Sequence, residues 1–137
     1  MISYNEWRKI IINHYQNPQY QGFIKHNQAI ERLQSNLSCA DQLNLQLVVI
    51  NDVIVSARFM GYACAIATSS ADLICQTITN KSKYQALAIL NNYSLMINVK
   101  DYDSDILEDL IVFTHTKKQP NRKQCSLLAS SGFLMML

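Results

Sequence analysis

Two alternating runs of apolar residues, separated by two residues, constrain the fold of this chain more than any other feature. The first run begins at Gln42 and has its apolar positions at Leu43, Leu45, Leu47 and Val49. The second run has its apolar positions at Val53, Val55, Ala57 and Phe59. Such alternation is typical of strands with one face against a core, and Asn51-Asp52 can form the two-residue turn of a hairpin. The runs therefore predict an antiparallel pair that ends at Gly61.

The residues before this hairpin predict a helix and an edge strand. Ser3, with Glu6 three residues later, forms the capping-box pattern that begins a helix. This helix should end by Asn17, because the residue before a proline is disfavoured in helical conformation and Pro18 follows. Residues 28–35 are interpreted as an edge strand.

The second half of the chain has helical periodicity. The segment ACAIATSSADLICQTITN predicts a helix directly after Gly61, and Ser82 can cap a second helix over KYQALAILNNYSLMI. A third helix is predicted from Asp103 or Ser104 within KDYDSDILEDLIVF, followed by the loop KKQPN and a last helix over RKQCSLLASSGFLMML. This order predicts an α+β fold, in which a small antiparallel sheet of about three strands packs against several α-helices.

Length and composition indicate one globular domain over residues 1–137. Hydrophobic residues make up 49% of the chain and charged residues 16%, which favours a folded core. The net charge of +2 comes from scattered lysines and arginines, so neither nucleic acid nor an anionic membrane is expected as a partner. The longest apolar run, GFLMML, is far shorter than the roughly 20 residues that span a bilayer. The N-terminal residues lack the pattern of a signal peptide, so we expect a cytoplasmic protein.

Cysteines and one aspartate are the candidates for chemistry. Cys39 lies in the loop before the hairpin, two residues from Asp41, whereas Cys64 and Cys125 fall in the predicted first turns of two helices. A helix N-terminus favours the thiolate, which is the form of cysteine that binds metal ions and attacks sulfur. Three thiolates and Asp41 would complete a tetrahedral set of zinc ligands. Cys75 lies three helical turns beyond Cys64, too far to share an ion, and is predicted to lie in the core.

Spacing alone does not decide between a metal site and ordinary structural roles. A single buried cysteine is more often a small core residue than a ligand, and Asp41 alone would be interpreted as a turn or cap residue. The sequence has no CxxC pair. The histidines His14, His26 and His115 are interpreted as structural or surface residues.

Four motifs, in order along the chain, resemble the IscU and NifU N-terminal family of iron–sulfur cluster assembly proteins. HYQNPQYQG resembles the family's His-Tyr-x-Asn-Pro-x-x-x-Gly segment, and SCADQLNLQLVV resembles the Cys-Gly-Asp segment that leads into a strand. GYACAIATSSADLI resembles Gly-x-x-Cys-x-Ile-x-x-Ser-Ser, and PNRKQCSLLA resembles Pro-x-Arg-x-x-Cys-x-Leu. The resemblance runs from about residue 4 to residue 135, and it implies the same α+β fold.

Within this family the sequence is most similar to the SufU-type branch. The stretch between Cys64 and Cys125 contains additional sequence, including KDYDSDILEDLIVF, where IscU proper is shorter. Gln124 stands before Cys125, at the position where IscU proper has a histidine ligand. The Leu-Pro-Pro-Val-Lys motif, by which IscU binds a chaperone, is absent from the sequence.

The SufU-type resemblance implies a zinc site formed by Cys39, Asp41, Cys64 and Cys125, with Arg122 matching a family arginine nearby. It also implies a partner, a pyridoxal-phosphate-dependent cysteine desulfurase of the SufS type. In SufU-type proteins a histidine of the desulfurase takes a place on the zinc and frees a cysteine thiolate, which accepts the persulfide sulfur. By motif that acceptor is Cys39, and apo iron–sulfur proteins are further expected partners.

Two other functions stay open beside zinc-dependent sulfur transfer. One is a scaffold of the IscU type that binds iron and assembles a transient [2Fe–2S] cluster on the same ligands, since thiolates serve both metals. The other is a structural zinc domain without sulfur traffic. The sequence departs from the family at Ala40, where the Cys-Gly-Asp motif has glycine. This departure bears on the release of a cluster more than on zinc binding.

Overall fold

The computed structural model describes residues 3–36 and 41–137, with the side chain of Lys117 excepted. It has the predicted α+β architecture, in which a three-stranded sheet packs against several helices. The elements are α1 (Tyr4–Gln16), β1 (Ile30–Asn36), β2 (Asp41–Ile50), β3 (Val53–Tyr62), α2 (Ala65–Ile78), α3 (Lys83–Ile97), a 3-10 segment (Glu108–Lys118) and α4 (Pro120–Met136). Within the described ranges, every helix is too short or too polar to cross a membrane.

The sheet has the strand order β1-β2-β3, and both pairs of strands are antiparallel. The predicted hairpin is confirmed: Asn51 and Asp52 have φ values of 52° and 63°, the left-handed conformation that a type I′ turn requires at both positions. The predicted edge strand is also confirmed as β1, which pairs Asn36 with Asp41. This pairing places the last residue of β1 directly opposite the first residue of β2.

A β-bulge changes the face to which part of the hairpin points. The register shifts between Val48 and Val49, so that Val48 pairs with Ser56 and Val49 with Ile54. Val55 is the extra residue, and an extra residue moves its neighbours to the opposite face of the strand. The prediction that Val53 and Val55 face the core is therefore wrong: both are exposed, and Ile54 is buried instead.

Capping boxes fix the starts of two helices where the sequence predicts them. The Ser3 hydroxyl accepts a hydrogen bond from the Glu6 N–H at 3.2 Å, and the Glu6 carboxylate accepts from the Ser3 N–H at 3.2 Å. Ser82 and Gln85 form the same pair of contacts at the start of α3. The first helix also ends as predicted, with Asn17 as its C-cap.

The predicted third helix is wrong in position and in type. No α-helix begins at Asp103 or Ser104; a 3-10 segment follows Leu107, and Glu108 has a φ of 53°. A left-handed residue cannot be part of a continuous right-handed helix, so helical structure from the predicted start is interrupted there. The predicted loop is also too long, because α4 already begins at Pro120, a favoured first helical residue.

The centre of the molecule is α2, which packs against α1, α4, β3 and the 3-10 segment. Most of its residues are buried, including Cys75 at 0% exposure, as the sequence predicts. Burial, together with the negative charge of Asp72, raises the pKa of the Cys75 thiol well above its usual value. Both effects favour the neutral form of Cys75 over the thiolate.

Candidate metal centre

Three side chains meet where β2, α2 and α4 come together. Asp41, Cys64 and Cys125 each offer one ligand atom, and these atoms lie within 4.8 Å of one another. Asp41 is the first residue of β2, Cys64 is the N-cap of α2, and Cys125 lies on α4. The structure thus brings together three of the residues that the resemblance implies as ligands. Cys39 and Ala40 lie outside the described residues, so the roles predicted for Cys39 stay predictions.

Asp41 is a buried carboxylate with one hydrogen-bonded oxygen. The residue is 3% exposed, and its Oδ1 accepts a hydrogen bond from the Cys64 N–H at 2.8 Å. Its Oδ2 is also buried, but it has no hydrogen-bond partner among the described residues. A buried carboxylate oxygen without a partner is costly, and a cation is the partner that relieves this cost. The donor set and the orphaned oxygen therefore fit a metal ion.

Cys64 is the N-cap of α2, one position before the predicted first turn. Its Sγ accepts a hydrogen bond from the Ala67 N–H at 3.4 Å, as the side-chain oxygen of serine does in an ordinary cap. This N–H and the positive end of the helix both favour a negatively charged sulfur. Cys64 is partly exposed, whereas Cys125 is buried.

Cys125 lies deeper and in a different helical position from the one predicted. Because α4 begins at Pro120, Cys125 belongs to the second turn, beyond the unpaired N–H groups of the helix start. The predicted stabilisation of its thiolate by a helix N-terminus is therefore wrong. Instead the Asn36 side-chain amide donates a hydrogen bond to its Sγ, at an Nδ2–Sγ distance of 3.6 Å. Cys125 is 2% exposed.

Asn36 is the residue of this centre that the sequence reasoning did not single out. It is buried at the end of β1, and its backbone pairs with Asp41. The available signal was an amide side chain that ends an edge strand three residues before Cys39. That signal is weak, because nothing in the sequence reveals that α4 carries Cys125 to the same strand end.

A cleft of about 440 Å³ opens beside Cys64 and Cys125. Its walls come from the first half of α1, the end of the 3-10 segment and the start of α4, and they include Tyr4, Trp7, Arg8, Ile11, His115 and Arg122. Arg122, the predicted neighbour of the site, thus shares the cleft with two of the cysteines. Among the described residues that line it, the cleft has two arginines and no acidic side chain.

His115 is part of an aromatic wall of this cleft. Its ring packs edge-on against Tyr4, with ring centroids 4.7 Å apart, and lies 5.1 Å from the ring of Trp7. These contacts tie the 3-10 segment to α1. His115 is not among the three described residues whose ligand atoms converge.

A buried contact anchors the other end of α1. The Nδ1 of His14 lies 2.6 Å from Asp72 Oδ2 on α2. Asp72 Oδ1 also accepts hydrogen bonds from the Gln19 and Tyr20 N–H groups, both at 2.8 Å. The HYQNPQYQG motif therefore has a structural explanation: its histidine and the chain after its proline are held by one buried carboxylate of α2.

Comparison with known proteins agrees with this geometry. The family model for the NifU-like N-terminal domain matches residues 6–131. The zinc-dependent sulfurtransferase SufU of Bacillus subtilis is 32% identical over 124 residues, which cover 90% of this chain and 83% of that protein. The scaffold protein IscU of Escherichia coli K12 is 31% identical over 127 residues, covering 89% of this chain and 84% of IscU.

A solved structure extends the likeness to the fold. The crystal structure of a putative iron–sulfur cluster assembly scaffold protein for the SUF system, from Fervidobacterium islandicum, superimposes with a TM-score of 0.88. It is 29% identical in sequence, and the match covers 93% of each chain. With the fold, the converging ligands and the matched residues in agreement, the chain belongs to the NifU-like N-terminal domain family.

Proposed function

We propose that this protein is a SufU-type sulfur acceptor, which takes persulfide sulfur from a cysteine desulfurase at a zinc site. The observation that carries this proposal is the convergence of Asp41, Cys64 and Cys125, with the Asp41 Oδ2 lacking a partner among the described residues. A similar protein, SufU of Bacillus subtilis, is a zinc-dependent sulfurtransferase by name. Gln124, in place of the histidine ligand of IscU, also favours this branch.

The ligands of the zinc would be Cys39, Asp41, Cys64 and Cys125. Two sulfur donors and one carboxylate oxygen are in place, and a third thiolate would complete a tetrahedral set. Cys39 is two residues before Asp41, so covalent geometry alone limits their Cα–Cα distance to about 7.6 Å. When bound, zinc keeps thiolates ionised near neutral pH without redox chemistry of its own.

Sulfur transfer would take place as an exchange between sulfur atoms. The Cys39 thiolate attacks the terminal sulfur of the desulfurase persulfide, a new S–S bond forms on Cys39, and the S–S bond of the donor breaks. The desulfurase cysteine leaves as a thiolate, so the step needs no oxidant or reductant. In this scheme Asp41 and Cys64 orient the centre, and Cys64 lies on the accessible side beside the cleft.

The proposed partner is a pyridoxal-phosphate-dependent, SufS-like desulfurase, and apo iron–sulfur proteins are the proposed later recipients of the sulfur. Support for a macromolecular partner comes from the cleft, whose aromatic and arginine side chains are residue types enriched at protein interfaces. Cytoplasmic location stays a prediction from the sequence.

Metal content tests the site directly. Protein purified without air should contain about one zinc per chain by elemental analysis, and Asp41→Ala should lose most of it. Cys75→Ala is the matched control, because it removes a buried cysteine outside the centre and should leave the zinc content unchanged. A wild-type protein without metal, or an Asp41→Ala variant with full zinc, would contradict the proposed site.

A scaffold function of the IscU type is the second candidate, and the likeness to IscU of Escherichia coli is the observation that favours it. The same ligand atoms would then bind iron during assembly of a [2Fe–2S] cluster. Iron with acid-labile sulfide and visible absorbance, found in place of zinc in the air-free preparation, would favour this function over sulfur transfer.

A further inference from the structure

Each of the three described ligands of the centre accepts a hydrogen bond from an N–H group of the protein itself. The Cys64 N–H donates to Asp41, and the Ala67 N–H donates to Cys64. For Cys125 a donor is the Asn36 side-chain amide. The first two donors belong to the backbone of α2 and its cap. The third is a side chain, so a substitution can remove it without touching the ligands.

Asn36 is well placed for a lasting contact with the Cys125 sulfur. It is 6% exposed, and its backbone is fixed by pairing between β1 and β2. An N–H···S hydrogen bond withdraws charge from a thiolate, which lowers its nucleophilicity and fixes its orientation toward the metal. Cys64, in contrast, is partly exposed and borders the cleft. Both described thiols of the centre accept a hydrogen bond from an N–H group, so the difference between them is burial: Cys125 is buried and Cys64 is partly exposed.

We propose that Asn36 is a positioning residue of the metal centre, which holds Cys125 as a ligand that stays bound while exchange takes place at another ligand of the centre. This inference rests on the proposed function, because it assumes that the centre exchanges a ligand during sulfur transfer. On this proposal, the Asn36 side chain on β1 makes Cys125 more firmly held than the other thiolate ligands. A SufU-type protein needs such asymmetry, since a centre that released every thiolate with equal ease would lose its metal.

The test compares Asn36→Leu with Gln34→Leu. Gln34 also lies on β1, two residues earlier on the same face, and its amide also reaches α4, where it donates to the Leu128 carbonyl at 3.0 Å. Both substitutions remove an amide that joins β1 to α4, but only Asn36 contacts a described ligand sulfur. Asn36→Asp is the second variant, because it keeps the shape of the side chain and loses the donor.

Zinc affinity, measured by competition with a chromophoric chelator, should fall about tenfold to a hundredfold in Asn36→Leu and Asn36→Asp. With cobalt(II) as a spectroscopic probe, their sulfur-to-metal charge-transfer band should shift to lower energy, because the Cys125 thiolate becomes a stronger electron donor. Alkylation of the zinc-loaded protein by iodoacetamide, mapped by mass spectrometry, should become about tenfold faster at Cys125. Gln34→Leu should leave all three measurements as in wild type.

The outcomes separate this inference from the proposed function. A wild-type protein that binds zinc, with Asn36 variants of unchanged affinity, band position and alkylation rate, would overturn the inference alone. Equal changes in the Asn36 and Gln34 variants would also overturn it, because they would show a purely structural link between β1 and α4. A wild-type protein that binds no zinc would overturn the proposed function itself.

Discussion

At the scale of single residues, Asp41 is the side chain with the clearest conflict between stability and function. Its Oδ1 is satisfied by the Cys64 N–H, whereas its buried Oδ2 has no partner in the described part of the chain. A native protein retains such a group where it has a use, since a buried unpaired charge destabilises the fold. The metal-free protein should therefore have a lower free energy of unfolding than a variant without this unpaired carboxylate oxygen.

Asp41→Asn should have opposite effects on the metal-free and zinc-loaded forms. The amide keeps an oxygen to accept from the Cys64 N–H but removes the negative charge. We expect the metal-free variant to be about 1 kcal/mol more stable than wild type, and the stabilisation by added zinc to be largely lost. Urea unfolding in the presence of chelator measures the stability of the metal-free form, and unfolding with excess zinc measures the stabilisation by the metal. A metal-free variant less stable than wild type would show that the carboxylate is already satisfied.

Some residues of the candidate site can be predicted from the sequence and others cannot, for a physical reason. Asp41, Cys64 and Cys125 were accessible from motif and residue chemistry, because metal ligands belong to few residue types. Asn36 was not accessible, because an amide has no such preference and its contact with Cys125 depends on how β1 meets α4. The error in the position of Cys125 came from the start of α4 at Pro120, since helix boundaries are set by tertiary packing as well as by local signals.

At the scale of secondary structure, the junction of β2 and β3 depends on Gly61. Its φ is 129°, a conformation that side chains rarely adopt, and a Cβ there would overlap the carbonyl oxygen of Gln42. Gln42 directly follows Asp41, and Gly61 is three residues before Cys64. The close approach of the two strands therefore helps to set the separation between two of the proposed ligands.

Gly61→Ala should lower the stability of the protein more than Gly22→Ala does. Both glycines have positive φ, but a Cβ at Gly22 would meet nothing within 4 Å. Gly22→Ala should cost about 1 kcal/mol of stability from its strained φ alone. Gly61→Ala should cost about 3 kcal/mol because of the additional overlap, and it should weaken zinc binding as well. Thermal unfolding and chelator competition measure these effects, and equal behaviour of the two variants would contradict the role given to Gly61.

The elements were predictable from sequence to the extent that their signals are local. The capping box at Ser3, the cap at Ser82 and the Asn51-Asp52 turn act over a few residues, and all three are confirmed. The bulge at Val55 is different, because valine suits either face of a strand and only pairing with β2 decides its direction. The 3-10 segment differs from the predicted helix for a similar reason: its sequence does not reveal the left-handed residue at its start.

At the scale of the whole molecule, the proposed metal centre borders a large apolar core, to which Cys125 itself belongs. The largest buried side chains include Tyr93 on α3, Phe59 on β3, Phe113 on the 3-10 segment and Phe133 on α4. Tyr93 and Phe113 pack edge to face, and the Tyr93 hydroxyl donates to the Ser126 carbonyl at 2.8 Å. These contacts join the helices, and Ser126 directly follows the proposed ligand Cys125 on α4.

Removal of zinc should therefore lower stability without unfolding the domain. Binding energy adds to the free energy of unfolding by mass action, whereas a core of this size remains buried without the ion. We expect chelator-treated protein to keep its far-UV circular dichroism and a cooperative transition at lower temperature. Loss of the transition on chelation would favour a structural zinc domain, the function in which sulfur transfer has no part.

Measuring the transfer of sulfur to Cys39 tests most directly whether this protein is a sulfur acceptor for a cysteine desulfurase. Zinc-loaded protein would be incubated with a SufS-type desulfurase and cysteine, separated without reductant, and digested for mass spectrometry. We expect one added sulfur atom on the peptide that contains Cys39, and faster cysteine turnover by the desulfurase. Cys39→Ala should abolish both effects, and Cys75→Ala should leave both intact. Full stimulation by Cys39→Ala, or sulfur found on a different cysteine, would contradict the proposed role of Cys39.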